Sequence, residues 1–118
     1  MLRSFGYAFA GIGYILRTQR NARIELVIGG IAVVLGLWLG LAATEWAVLA
    51  LTIALVLVLE SINTSIELAV SLASPQPHPA AKAAKDVAAA SVLIGAIASI
   101  AVGLLILGRS LVARLFGT

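Results

Sequence analysis

The sequence predicts an all-α membrane protein in which an amphipathic helix precedes three membrane-spanning helices. Of its 118 residues, 62% are hydrophobic and 11% are charged, whereas about 25% are charged in an ordinary soluble domain. So few polar residues could not cover the surface of a soluble protein. The apolar residues also fall into three long runs separated by short polar segments. We therefore expect one membrane-embedded domain over residues 1–118.

The first expected element is an amphipathic helix over about residues 4–20. Phe5, Phe9, Ile12 and Leu16 recur at spacings of three and four, which places them on one face of a helix. An apolar face of this kind is typical of a helix that lies in the membrane interface. The alternative is that these residues extend the first membrane span toward the N-terminus.

Three apolar segments follow, over about residues 24–43, 46–72 and 84–108. Each is long enough to cross a hydrocarbon core about 30 Å thick at about 1.5 Å per residue. We expect a tight turn at residues 43–46 between the first two spans. Three prolines within residues 74–79 must end the second helix, because proline removes a backbone donor and fixes φ.

The distribution of positive charge predicts the topology. Four arginines precede the first span, two lysines lie between the second and third spans, and the turn between the first two spans has neither residue type. The positive-inside rule then places the N-terminus and the Pro-rich loop in the cytoplasm. The C-terminus is expected outside, although Arg109 and Arg114 lie near it.

A polar stripe interrupts the second apolar segment. Glu60, Asn63, Thr64 and Glu67 are spaced by three and four residues, so they share one helix face. A carboxylate deep in a membrane helix costs about 2.5–3.5 kcal/mol or more. Counting from Trp46 at about 1.5 Å per residue, the stripe lies in the cytoplasmic half of the membrane.

Two other polar segments are expected at the same depth. Residues 19–25 enter the first span there, and Lys85 and Asp86 enter the third. Carboxylates that hold Mg²⁺, a lysine that contacts a phosphate and a carboxylate that takes a hydroxyl proton are the groups that phosphoryl transfer needs. A hydroxyl at the depth of Glu60 belongs to a lipid. The sequence has no GxxxxGK[ST] loop and no cysteine, which excludes a P-loop nucleotide site and thiolate chemistry.

Two sequence motifs are specific enough to be compared with a known protein family. They are Glu60-x-x-Asn63-Thr64-x-Ile66-Glu67 and His78-Pro79-x-Ala81-Lys82-x-Ala84-Lys85-Asp86-x-Ala88-Ala89-Ala90. With the three-span layout, they resemble the prokaryotic diacylglycerol kinase family over nearly the whole chain. The segments Arg17-Thr18-x-Arg20-Asn21-x-Arg23-Ile24 and Thr44-Glu45-Trp46 look more like its undecaprenol kinase branch than its diacylglycerol branch.

The resemblance implies a homotrimer in the bacterial inner membrane, with composite active sites between subunits. It also implies transfer of the γ-phosphoryl group of ATP, with Mg²⁺, to the hydroxyl of diacylglycerol or undecaprenol. By this likeness Glu60 is the general base and Asn63 positions the base or the substrate. Glu67 carries the Mg²⁺ of the nucleotide, while Lys85 and Asp86 contact the ATP phosphates.

The remaining site residues are also implied by the resemblance, and three positions depart from it. The further nucleotide-contact positions are Tyr7, Gln19, Gln76 and His78, and the supporting positions are Glu25 and Thr64. Gln19 stands where the family usually has a second metal-binding Glu, Gln76 where it has a Glu, and Ser71 where it has an Asp. An amide oxygen ligates Mg²⁺ without charge, so we expect weaker metal binding.

Two questions stay open at this point. The acceptor is either diacylglycerol or undecaprenol, because interchangeable apolar side chains would line its groove. The alternative function is a non-enzymatic membrane oligomer whose buried carboxylates are structural or handle protons. Between Trp46 and Leu59 the only polar side chain is Thr52, which favours a one-sided site over a path across the membrane.

Overall fold

A computed structural model of the chain describes residues 1–117, and these residues form helices joined by short breaks. In chain order the elements are α1 (Leu2–Thr18), α2 (Arg20–Leu39), α3 (Ala43–Ala73), α4 (Pro79–Gly103), a π-helical turn (Leu104–Gly108) and α5 (Arg109–Phe116). The last three run on as one continuous helix, Pro79–Phe116. Three helices, Arg20–Leu39, Ala43–Ala73 and Pro79–Phe116, are long and apolar enough to cross a membrane. The predicted all-α class and the three candidate spans after an N-terminal helix are confirmed.

A single extended residue, Gln19, separates α1 from α2. Arg23 stabilises this corner, because its Nη1 donates to the backbone carbonyls of Leu16 and Arg17 at 2.9 and 3.0 Å. These carbonyls belong to the last turn of α1, where the helix itself supplies no donor. The side chains of α1 are all outside the core, and its placement in the membrane interface stays a prediction.

The turn between α2 and α3 lies earlier than expected. The chain reverses at residues 40–42, where Gly40 adopts the left-handed conformation with φ 68°, so the predicted turn at residues 43–46 is wrong. Glu45 instead stands in the first turn of α3, and its Oε1 accepts a hydrogen bond from the Ala42 backbone N–H at 3.0 Å. A carboxylate at a helix N-terminus is stabilising, which is why the helix starts before it.

The Pro-rich loop ends α3 and starts α4 as expected. Pro79 is the first residue of α4, a position where its missing donor costs nothing. His78 caps the helix, because its Nδ1 accepts from the Ala80 backbone N–H at 3.0 Å. At the other end the helix continues past Gly108, where the third span was expected to end, and reaches Phe116.

The closest packing in the bundle is between α3 and α4. Gly95 on α4 lies directly against the Leu59 side chain, in a space that a Cβ would fill. The buried apolar side chains are few, namely Ala22, Leu41, Leu49, Val56 and Ala88, and most large apolar side chains are exposed. Exposure of this kind suits a bundle surrounded by lipid, where apolar side chains need no covering.

Candidate functional site

The polar stripe on α3 forms as its spacing predicts and points into the bundle. Glu60 is 1% exposed, and Asn63 and Thr64 are also buried. Asn63 Nδ2 donates to Glu67 Oε1 at 3.2 Å, one helical turn away. The Thr64 hydroxyl donates to the backbone carbonyl of Glu60 at 2.9 Å. The Thr64 hydroxyl therefore has its partner within its own helix, and its supporting role stays a prediction.

Three buried oxygen atoms of this region accept no hydrogen bond from any part of residues 1–117. They are Glu60 Oε1, Asn63 Oδ1 and Glu25 Oε2. Glu25 lies on α2, yet its carboxylate is close enough to that of Glu60 for the two charges to interact. Glu60 interacts in the same way with Glu67. We call Glu25, Glu60, Asn63 and Glu67 the carboxylate cluster.

Unpaired buried acceptors are rare in folded proteins and need a physical reason. An acceptor that lacks a donor gains from a hydroxyl or a cation, because the alternative is an uncompensated polar atom in a low-dielectric environment. Here three such atoms come from two helices. The carboxylate cluster can therefore receive a hydrogen-bond donor that the described chain does not itself supply.

An apolar groove runs beside this cluster between α2, α3 and α4. Its volume is about 550 Å³, and Asn21 and Glu25 are the polar residues at one end. Along the continuous helix Pro79–Phe116 it is lined from Ala89 to Leu107, a distance of about 27 Å at about 1.5 Å per residue. A groove of this length nearly matches the thickness of a hydrocarbon core and can hold an extended lipid chain.

A second groove lies around the Pro-rich loop. It has a volume of about 660 Å³ and is lined by residues 74–79, Ala81, Lys82, Lys85 and Asp86; we call it the loop groove. Four predicted nucleotide contacts line this groove, namely Gln76, His78, Lys85 and Asp86. Lys82 Nζ and Asp86 Oδ2 form an ion pair at 2.7 Å. Lys85 Nζ instead donates to the Ser71 hydroxyl on α3 at 2.8 Å.

The structure brings the predicted site residues together in two groups rather than one. The carboxylate cluster and the loop groove both lie toward the same end of the α3–α4 pair, because Ser71 is one turn beyond Glu67. Within the described chain, however, no hydrogen bond or ion pair joins Glu67 to Lys85 or Asp86. Tyr7 is 75% exposed on α1.

Of the predicted metal ligands, Glu67 is on α3 and Gln19 is the residue between α1 and α2. No hydrogen bond joins them in residues 1–117. No group of three or more His, Cys, Asp or Glu side chains in that range is arranged to hold a metal ion. The residues present nevertheless fit a nucleotide-bound Mg²⁺, since this ion commonly takes one or two carboxylates and completes its shell with phosphate oxygens and water. Glu67 keeps one carboxylate oxygen outside its bond to Asn63.

Two residues, Glu25 and Ser71, make contacts in the structure that their sequence positions did not indicate. Glu25 was expected only to support the site, whereas it is the acidic residue that lines the apolar groove. Ser71 was noted only as a departure from a family pattern, and its contact with Lys85 spans fourteen residues of chain. The Lys82–Asp86 pair has the i,i+4 spacing of a helical ion pair, so this contact is visible in the sequence.

Three apolar helices, buried carboxylate oxygens on two of them and a groove with two lysines at the helix ends define a multi-pass membrane protein with a polar site at one end of its bundle. Comparison with known families sharpens this class. The description "Prokaryotic diacylglycerol kinase" belongs to the family whose model matches residues 6–107. The chain therefore belongs to the prokaryotic diacylglycerol kinase family.

Individual relatives carry two different names. The chain is 47% identical over 104 residues to a diacylglycerol kinase of Synechocystis sp., covering 87% of this chain and 59% of the relative. It is 38% identical over 104 residues to the undecaprenol kinase of Bacillus subtilis, covering 88% and 85%. A diacylglycerol kinase of Escherichia coli K12 is 29% identical over 100 residues, covering 85% and 82%. The chain thus spans less than two thirds of the Synechocystis relative but most of the other two.

Proposed function

We propose that the chain is a membrane lipid kinase that transfers the γ-phosphoryl group of ATP to the hydroxyl of a membrane lipid alcohol. The observation that carries this proposal is the unpaired buried Oε2 atom of Glu25, which lies at the polar end of an apolar groove and whose carboxylate interacts with that of Glu60. A lipid tail in the groove would bring its own hydroxyl to these carboxylates. Membership of the prokaryotic diacylglycerol kinase family supports the same activity.

In the proposed reaction, the acceptor hydroxyl lies at Glu25 and Glu60, and the triphosphate lies in the loop groove beside Lys85. Glu60 accepts the hydroxyl proton while the hydroxyl oxygen attacks the γ-phosphorus. The bond from the γ-phosphorus to its bridging oxygen breaks, and ADP leaves with those electrons. The products are a lipid phosphate and ADP, and Glu60 releases the proton to water.

Glu67 and Gln19 are the residues that would hold the Mg²⁺ of the nucleotide, which neutralises phosphate charge when it is bound. Asn63 keeps Glu67 oriented through its amide donor. The uncharged amide of Gln19 is expected to make metal binding weaker than a second carboxylate would.

We also propose a homotrimer with shared sites. Within residues 1–117 no hydrogen bond or ion pair joins Glu67 to Lys85 or Asp86, and Tyr7 and Gln19 line neither groove. A neighbouring subunit could supply the missing groups to each site. The same proposal places the protein in the bacterial cytoplasmic membrane, with the loop groove on the cytoplasmic side where its lysines favour it and where ATP is present.

The acceptor is diacylglycerol or undecaprenol, and one assay compares them. Purified protein in detergent receives MgATP with each lipid alcohol, and ADP release and lipid phosphate are measured. We expect release that depends on one acceptor and falls about 10²–10⁴-fold in Glu60→Gln, as for loss of a general base.

The matched control is Glu45→Gln, the same substitution in the same helix but at its other end, where the carboxylate caps a helix. It should leave the rate nearly unchanged. No lipid-dependent ADP release with either acceptor would refute the kinase proposal and leave a non-enzymatic membrane oligomer. A normal rate in Glu60→Gln would remove only the assigned base.

A further inference from the structure

A hydrogen bond between a serine and a lysine connects the two helices that flank the Pro-rich loop. Lys85 Nζ donates to Ser71 Oγ at 2.8 Å. Ser71 lies in the last turns of α3, and Lys85 lies in the second turn of α4. The bond therefore joins two helices at the edge of the loop groove, where only Lys85 of the pair is a lining residue.

The two lysines of the loop groove differ in their charge partners. Lys82 is paired with Asp86 at 2.7 Å, so much of its charge is already compensated. Lys85 has no carboxylate partner within residues 1–117. An ammonium group has three donors, and Ser71 accepts from one of them. Lys85 therefore offers the groove a cation whose position is held and whose charge is not neutralised.

Holding a lysine in this way has a physical benefit. A lysine side chain is a point charge on a flexible four-carbon stem and carries about 2 kcal/mol of rotamer entropy. A phosphate that binds a free lysine must order that stem, which weakens binding. A hydroxyl orders the stem beforehand and, unlike a carboxylate, leaves the positive charge available to the phosphate.

We propose that Ser71 is a positioning residue for the nucleotide, whose hydroxyl holds Lys85 Nζ in the loop groove for contact with the triphosphate. This inference rests on the proposed kinase function. It assigns Ser71 no contact with ATP and no part in proton transfer. Loss of the Ser71 hydroxyl should therefore change the KM for MgATP and leave kcat nearly the same.

The test is a MgATP titration at saturating lipid acceptor. Ser71→Ala should raise the KM for MgATP roughly three- to tenfold, the range expected for loss of one typical intramolecular hydrogen bond. Ser71→Thr keeps the hydroxyl and should restore the wild-type KM. The matched control is Ser65→Ala in the same helix, where the hydroxyl donates only to the Ser61 backbone carbonyl at 3.0 Å; its KM should not change.

A double-mutant cycle separates this role from a general structural one. In a Lys85→Met background, Ser71→Ala should cause no further loss of MgATP binding, measured by calorimetry without acceptor. Equal losses in both backgrounds would overturn the inference, as would an unchanged KM in Ser71→Ala or a raised KM in Ser71→Thr. Failure of the kinase proposal looks different, because the wild-type protein would then release no lipid-dependent ADP.

Discussion

The carboxylate cluster and the loop groove differ in burial and in the charge of the groups that they offer to a ligand. In the carboxylate cluster Glu60 is 1% exposed and has a buried oxygen without a donor. In the loop groove the Lys82 and Asp86 side chains are 79% and 62% exposed and are paired with each other. The cluster is thus short of donors in a dry environment, whereas the groove keeps one held cation, Lys85, in a wet one.

In our proposal, this difference explains how one small chain can bind two dissimilar substrates. A dry site without donors favours a substrate that brings its own donor, such as an alcohol. A wet site with a held cation favours an anion such as a triphosphate, which arrives from water. In our proposal the reaction takes place where these two regions meet, so the regions should respond separately to mutation.

Among the substitutions that compare the two regions, the largest effect is expected in the loop groove. Lys85→Met should lower kcat/KM for MgATP roughly tenfold to hundredfold, because it removes the lysine that has no carboxylate partner. Lys82→Met is the matched comparison in the same helix and should have an effect of only a few-fold, since Asp86 already compensates Lys82. Both are measured by ADP release across a MgATP titration. Equal effects of the two substitutions would contradict the division of charge described above.

The next largest effect is expected in the apolar groove beside the carboxylate cluster. Ala96 lines the apolar groove, and Ala96→Phe should obstruct it. We expect roughly a tenfold rise in KM for the lipid acceptor, while the KM for MgATP stays the same. Ala98→Phe adds an equal ring to an exposed position of the same helix that does not line the groove, and it should be neutral. Both constants rising together in Ala96→Phe would argue against separate sites.

The smallest effect is expected where α3 and α4 pack against each other, since residues of both regions lie on these helices. Gly95→Ala places a Cβ against Leu59, the residue before Glu60. Overpacking of this kind costs about 1–3 kcal/mol, so the midpoint of thermal unfolding in detergent should fall. Gly30→Ala in α2 has open space around its Cβ and should leave stability unchanged or raise it slightly. An unchanged unfolding midpoint in Gly95→Ala would mean that α3 and α4 are loosely packed at this position.

Much of the fold follows from local patterns in the sequence. Apolar run length predicts the three candidate spans, and the prolines between Ser74 and Pro79 predict the break before α4. The 3–4 spacing of the polar residues predicts the shared face of the α3 stripe, which the Asn63–Glu67 hydrogen bond confirms. Each of these features depends on neighbours within one or two helical turns.

The features that the sequence did not reveal depend on longer range or on a competition between local signals. The Ser71–Lys85 bond and the approach of Glu25 to Glu60 join different helices, and no sequence period reports such contacts. The turn at residues 40–42 was misplaced because Glu45 was interpreted as a turn residue rather than as a helix N-terminal carboxylate. Gly108 did not end the third helix, since a glycine alone leaves the backbone donor in place.

The unequal lengths of the helices have a further consequence. Glu25 is five residues after the start of α2, whereas α3 continues for thirteen residues beyond Glu60. The part of α3 beyond its carboxylate is thus about 12 Å longer than the part of α2 before Glu25, at about 1.5 Å per residue. Ser71 is on this longer part and holds Lys85 there. In our proposal the extra length carries Lys85 into water while Glu25 and Glu60 stay in the apolar layer, so unequal helix lengths separate the triphosphate from the lipid alcohol.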